Sequence, residues 1–302
     1  MVIIHQVKLF LENFMSFNIF DENTYLSNNP DVRDAVNARV VSSGLEHFQK
    51  YGLAEGRVNV SPYYNEQLYL QKNPDVAEAV KAGSFKSGLD HYIQYGEADG
   101  RSPGAFDEQA YLELYPDVAA AVEAGVVSSG LEHYIQYGQS ETNRVGVLTG
   151  TNGNDSITGF NAEGKINYIT GVDVTEYQAQ ANGNLKFTTS NYGSGEVDTL
   201  TGGSGNDLFT VGTGVQPFGT FSIPRSFYVG NGGDDYVEIK NFEVGKDAIQ
   251  FGGYSSVTYR FEVVDNNLNI STATGDLVAK VEGVTSLSQL SGNTSGGTFL
   301  MG

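Results

Sequence analysis

The hydrophobic pattern changes period along the chain. Ile3, Ile4, Val7, Phe10, Leu11 and Phe14 recur at helical spacing with polar residues between them, which predicts an amphipathic helix over residues 1–15. Near the other end the spacing is that of strands. Thr258–Val264, Leu268–Ser271 and Leu277–Val281 alternate, and Asn266-Asn267 and Thr274-Gly275-Asp276 supply the turns.

Between these ends the chain repeats itself. Tyr25-Leu26 leads to Asn29-Pro30-Asp31-Val32, Tyr69-Leu70 to Asn73-Pro74-Asp75-Val76, and Tyr111-Leu112 to Tyr115-Pro116-Asp117-Val118. Each copy continues through a Ser-Gly-Leu-acid-His stretch to Tyr51-Gly52, Tyr95-Gly96 or Tyr137-Gly138, and the prolines lie 44 and 42 residues apart. Such a period suits a unit of two or three helices. Asn29 and Asn73 are good N-caps ahead of a proline at the first helical position. Ser43 with Glu46, Ser87 with Asp90 and Ser129 with Glu132 have capping-box spacing, and Gly52, Gly96 and Gly138 stand where C-terminal caps belong. The expectation is three short helices per repeat and three repeats over 16–144. His47, His91 and His133 share one repeat position. One histidine per unit cannot chelate a metal, so they are expected to pack one repeat on the next.

Residues 145–302 carry 27 of the 38 glycines. Gly202-Gly203-Ser204-Gly205-Asn206-Asp207-Leu208-Phe209-Thr210 matches G-G-x-G-x-D-x-U-x at every defined position, where U is a large apolar residue. Gly150 to Thr158, with Asn152 and Asp155, lacks only the second glycine, and so does Gly230 to Glu238, with Gly232 and Asp235. A more degenerate copy runs from Gly193 to Thr201 and contains Asp198; Asp247 is a further acidic candidate. Glycines let such a turn aim carbonyl oxygens inward while the aspartate adds a charged oxygen, and calcium takes six to eight oxygens. One turn supplies half a shell. Stacked turns complete it, so the expected metal residues are Gly150, Asn152, Asp155, Asp198, Gly202, Ser204, Asp207, Gly230, Gly232 and Asp235, with Ca2+ as cofactor. If the long segments between turns preserve the alternation of two edges, Asp155 faces Asp207 and Asp198 faces Asp235, giving two sites.

Charge sharpens this picture. Seventeen basic residues against 36 acidic ones give a net charge of −19, which repels nucleic acid and anionic lipid. There is no cysteine, so disulfides, thiolate metal sites and cysteine nucleophiles are excluded. No apolar run approaches the length of a membrane span. Nucleophile-elbow, HExxH and phosphate-loop motifs are missing, and the glycine-rich half contains no histidine.

The nonapeptides, together with Tyr236-Val237-Glu238-Ile239, Asn241-Phe242, Gly245 and Asp247-Ala248-Ile249, make residues 148–302 resemble the calcium-binding RTX (repeats-in-toxin) region of proteins exported by bacterial type I secretion. The front repeats resemble modules upstream of RTX segments in cyanobacterial and other bacterial secreted proteins. The resemblance implies a multidomain α plus β protein: an N-terminal α-helical repeat domain followed by an all-β domain at 145–302, a parallel β-roll with insertions, antiparallel capping strands and an uncleaved export signal. The function it implies is that of a secreted, non-catalytic calcium-binding protein of the cell surface or matrix, folding on calcium after export. Its partners would be calcium, further copies of the chain, or a surface polysaccharide or protein met by the helical repeats. The alternatives are a calcium-dependent filament or surface-layer subunit and a polysaccharide-active enzyme.

Overall fold

The helices are short because each repeat spends its residues on turns. The structure, a computed structural model, describes residues 19–179, 185–218, 221–253, 255–293 and 297–302; the amphipathic segment expected over 1–15 lies outside them. Repeat one comprises α1 (Glu22–Asn28), α2 (Pro30–Asn37) and α3 (Gly44–His47). Repeat two comprises α4 (Glu66–Lys72), α5 (Pro74–Lys81) and α6 (Gly88–His91). Repeat three comprises α7 (Glu108–Leu114), α8 (Pro116–Glu123) and α9 (Gly130–His133). The last helix of each repeat widens into a π turn ending at Gly52, Gly96 or Gly138.

Several local signals act differently from their sequence reading. Asn29 makes no side-chain cap on α2; its Nδ2 donates to the Tyr25 carbonyl at 2.7 Å and its Oδ1 accepts from Arg57 at 2.8 Å, so it ties the repeat's start to its end. Ser43 Oγ does accept from the Glu46 amide at 3.0 Å. The returning acid reaches one residue further, to the Ser42 amide at 2.7 Å, while Glu22 of α1 accepts from the Gly44 and Leu45 amides. Gly52, Gly96 and Gly138 are not left-handed caps. A Cβ there would collide with the hydroxyl of Tyr25, Tyr69 or Tyr111, so close packing demands the glycine. Those hydroxyls pair with Nδ1 of His47, His91 and His133 at 3.0, 2.8 and 3.1 Å, which makes the histidines packing groups within their own repeat.

The chain separates into two compact units, one ending at Phe106 and the other spanning Asp107–Gly302. The third repeat therefore belongs with the strands rather than with the first two repeats. Its Asp107 amide donates to the Val147 carbonyl at 2.7 Å, Thr149 Oγ1 donates to Asp107 Oδ2 at 2.8 Å, and Tyr134 lies 5.3 Å from Phe160 between ring centres.

In the second unit successive strands alternate between two six-stranded sheets. The first contains β1 (Gly146–Thr149), β3 (Ile166–Thr170), β7 (Asn206–Thr210) and β11 (Ala248–Gly252), all parallel. The second contains β2 (Ser156–Thr158), β6 (Val197–Thr201), β10 (Tyr236–Lys240) and β14 (Leu277–Val281), also parallel. Two hairpins, β4–β5 (Glu176–Ala179, Leu185–Thr188) and β8–β9 (Gly212–Phe218, Phe221–Ser226), form separate small sheets. Antiparallel strands finish each large sheet. β12 (Tyr259–Val264) and β13 (Asn267–Thr272) extend the second, and β15 (Gln289–Asn293) and β16 (Thr298–Met301) extend the first. Ile169, Phe209 and Ile249 stack in register on one sheet, and Ile157, Leu200, Ile239 and Val281 on the other; all are essentially sealed from solvent. Each such side chain contributes about 1.5–3 kcal/mol. No helix among the described residues is long and apolar enough to cross a membrane.

Candidate metal centre

The topology decides which turns are neighbours. Both hairpins leave on the edge where chain passes from the first sheet to the second; the opposite edge keeps the tight turns 159–165, 202–205 and 241–247. What looked like an insertion after Asp155 holds the complete strand β3. Asp155 therefore stands beside Asp198 on the hairpin-bearing edge, and Asp207 stands beside Asp247 on the short edge. The expected Asp155–Asp207 pair does not form, because the two lie on opposite edges. Asp198 and Asp235 share an edge but not a register position; Tyr236 pairs with Val197, which puts Asp235 next to Glu196.

On both edges the carboxylates first serve the backbone. Asp155 Oδ2 accepts from the Thr151 amide at 2.6 Å, Asp207 Oδ2 from Gly203 at 2.7 Å and Asp247 Oδ2 from Glu243 at 2.8 Å, always four residues back. The other oxygen reaches the next coil. Asp198 Oδ1 accepts from the Asp155 amide and Asp247 Oδ1 from the Asp207 amide, each at 2.8 Å. Asn167 occupies the equivalent place on β3 and donates Nδ2 to Asp207 Oδ1 at 2.7 Å. Tyr228 OH donates to Asp198 Oδ2 at 2.6 Å from a fully buried position. Burial raises the pKa of Asp198 and Asp207 to about 6 and pushes Asp247 up as well.

These bonds distinguish three stations. At the first, Asp155 and Asp198 have a donor on each carboxylate oxygen. The second is the short edge, where Asn241 O, Asp207 Oδ2 and Asp247 Oδ2 lie 2.7, 3.0 and 3.5 Å from the point where a Gly202 side chain would begin, so this oxygen cradle closes on glycine. On the same edge Lys246 Nζ donates to the Ser204 carbonyl at 3.2 Å and pairs with Glu243 at 3.0 Å.

The third station differs. Asp235 Oδ2 accepts from the Gly195 amide at 3.1 Å, while its Oδ1 is buried with no hydrogen-bond partner among the described residues. Glu196, beside it, has Oε1 on Asn191 Nδ2 and a buried Oε2 likewise without a donor. Desolvation, then the charges of Asp198, Asp155 and Asp173, raises Glu196 to about 8. On the next coil Asp276 accepts from the Gly230 amide at 2.8 Å through Oδ2, and its Oδ1 is buried with no hydrogen-bond partner among the described residues. Orphaned buried carboxylate oxygens cost folding free energy unless a cation or proton meets them.

Among the sequence candidates, Asn152 bonds Ser190 Oγ at 2.9 Å, Gly230 and Gly232 hold left-handed turn geometry, and the Gly230 amide is the donor to Asp276. Glu196 and Asp276 were not foreseen. Glu196 stands two places before the aspartate in the degenerate Gly193 copy, and Asp276 follows a Thr-Gly turn rather than a nonapeptide. Among the described residues, no three acidic or histidine side chains converge as a ready-made metal cluster. Glu196 and Asp235, neighbours in strand register, are the oxygen-donor type that a hard cation takes, and peptide oxygens would have to complete its shell. No protein-family profile, curated protein or solved structure matches this chain.

Proposed function

We propose that the chain is a secreted, non-catalytic calcium-binding protein of the cell surface or extracellular matrix, whose strand-bearing unit is a parallel β-roll completed by calcium after export. The observation that carries this reading is the pair of adjacent turns at 193–196 and 230–235, in which Glu196 Oε2 and Asp235 Oδ1 are buried acceptors without donors among the described residues. Glu196 and Asp235 would hold the ion, and it would supply the positive charge that lets the Glu196 carboxyl ionise while buried. Asp155, Asp198, Asp207 and Asp247 set the turns by accepting backbone amides, so their part is to fix the register of the coils. A net charge of −19 opposes collapse of the metal-free chain, in keeping with export before folding.

The test is a calcium titration of the full, chelator-stripped chain by calorimetry, with a thermal melt at each end point. Wild-type protein should release binding heat and melt higher with calcium. Glu196→Gln and Asp235→Asn should lose both effects, and Asp247→Asn should keep the heat. Absence of heat in the wild type, or its survival in both site variants, overturns the reading.

A further inference from the structure

Every sheet needs its outer strands protected, because an unpaired edge is a template for further pairing. Three of the four edges of the large sheets are protected. β1 is covered where the Asp107 amide bonds Val147, β2 is only three residues long, and β15 is interrupted by a register shift between Gln289 and Ser291. β12 is the exception. It is six residues long, pairs regularly with β13 on one side, contains no proline and has no strand on its other side among the described residues.

Its side chains are unusual for a free edge. Phe261 and Val263 are 36% and 52% exposed, and both line a cavity of about 330 Å³ whose other wall includes Leu287, Gln289 and Met301. Val257, just before the strand, is 84% exposed, and Val264 is 39% exposed. On the opposite face of β12, Arg260 and Glu262 are exposed and have no ion-pair partner among the described residues.

We propose that β12 is the interface of a closed two-fold dimer, in which it pairs antiparallel with β12 of a second copy about Phe261. The sequence of the strand is self-complementary in that register. Arg260 of each copy falls opposite Glu262 of the other, Tyr259 opposite Val263, and Phe261 opposite itself. Both charges are thus matched twice, both apolar positions are covered, and the edge hydrogen bonds are satisfied. A parallel pairing would set Arg260 near Arg260 and lose this match. The inference is independent of any metal at Glu196 and Asp235.

Sedimentation of the full chain over a concentration series, in calcium-containing buffer, tests it. Wild-type protein should reach a dimer and no larger species. Arg260→Glu and Glu262→Arg should each weaken dimerisation on the order of tenfold or more, because one reversal places like charges at both symmetry-related pairs. The double variant, Arg260→Glu with Glu262→Arg, should restore it. Circular dichroism and melting report folding of each variant, and both side chains are exposed, so they should be unchanged. A monomeric wild type, open-ended assembly, single reversals without effect, or a double variant as weak as the singles would overturn the proposal.

Discussion

A glycine can be required by what lies beside it rather than by its own backbone. Gly96 sits in a helical turn of ordinary handedness, yet the Tyr69 hydroxyl fills the space of its missing side chain while bonding His91. Gly96→Ala should therefore cost about 1–3 kcal/mol by overpacking. Tyr69→Phe alone should cost about 0.5–1.5 kcal/mol for the lost hydrogen bond. Combined, they should cost less than the sum, since removing the hydroxyl makes room for the methyl; a double-mutant cycle in urea measures that coupling. At the same scale the buried acids fix a pH dependence. Glu196 at about 8, and Asp198 and Asp207 at about 6, all lie above the usual carboxylate range. The folded state therefore binds protons more tightly than the unfolded one, and this stabilisation, full at acidic pH, is lost as pH rises through about 6 and then 8. In chelator, melting of the second unit should fall between pH 5 and pH 8.5, and calcium should reduce that fall.

Among the elements, Asn167, Asp207 and Asp247 form a rung across β3, β7 and β11, and each successive member sits 40 residues further along the chain. An amide at the first position lets its neighbour's carboxylate be buried with a donor. Asn167→Asp replaces that donor by a second buried acid and should destabilise the unit by about 3 kcal/mol or more in chelator, read from denaturant melts. Much of this level was legible in advance: the three helices per repeat and the strands near 259–264, 267–272 and 277–281 follow from period and turn chemistry. Edge assignment was not. Nothing local marks β3 as a full strand of the main sheet, because its preceding turn lacks the aspartate; β3 adds a strand that breaks the alternation on which the Asp155–Asp207 pairing was conditional. The hairpin at Asp265-Asn266, both left-handed, likewise falls one residue before the turn expected at Asn266-Asn267.

For the whole molecule, the compact units cut across the repeats. The third repeat has the sequence of the first two, and only the residues that follow it, Val145 to Thr149, give it a strand to close upon. A fragment ending at Phe106 should fold without metal, whereas removing residues 107–144 from the second unit should uncover Val147 and Phe160 and lower its melting temperature or cause aggregation. Scanning calorimetry of the intact chain should show two transitions, with calcium moving only the one that belongs to Asp107–Gly302. Fold class could be read from composition and period; this boundary could not, because it depends on contacts between segments far apart in sequence.

The even 40-residue spacing of the rung has a mechanical meaning. The coils from Asn167 to Asp207 and from Asp207 to Asp247 are equal links, whereas the first coil, from Gly146 to Asn167, is shorter, and a chain pulled by its ends should give them up one at a time. Each of the two equal links frees about 130–140 Å of extended polypeptide. A single molecule under tension would thus show two matched long strides and a shorter one, and the hairpins hanging from one edge would travel with the link they decorate.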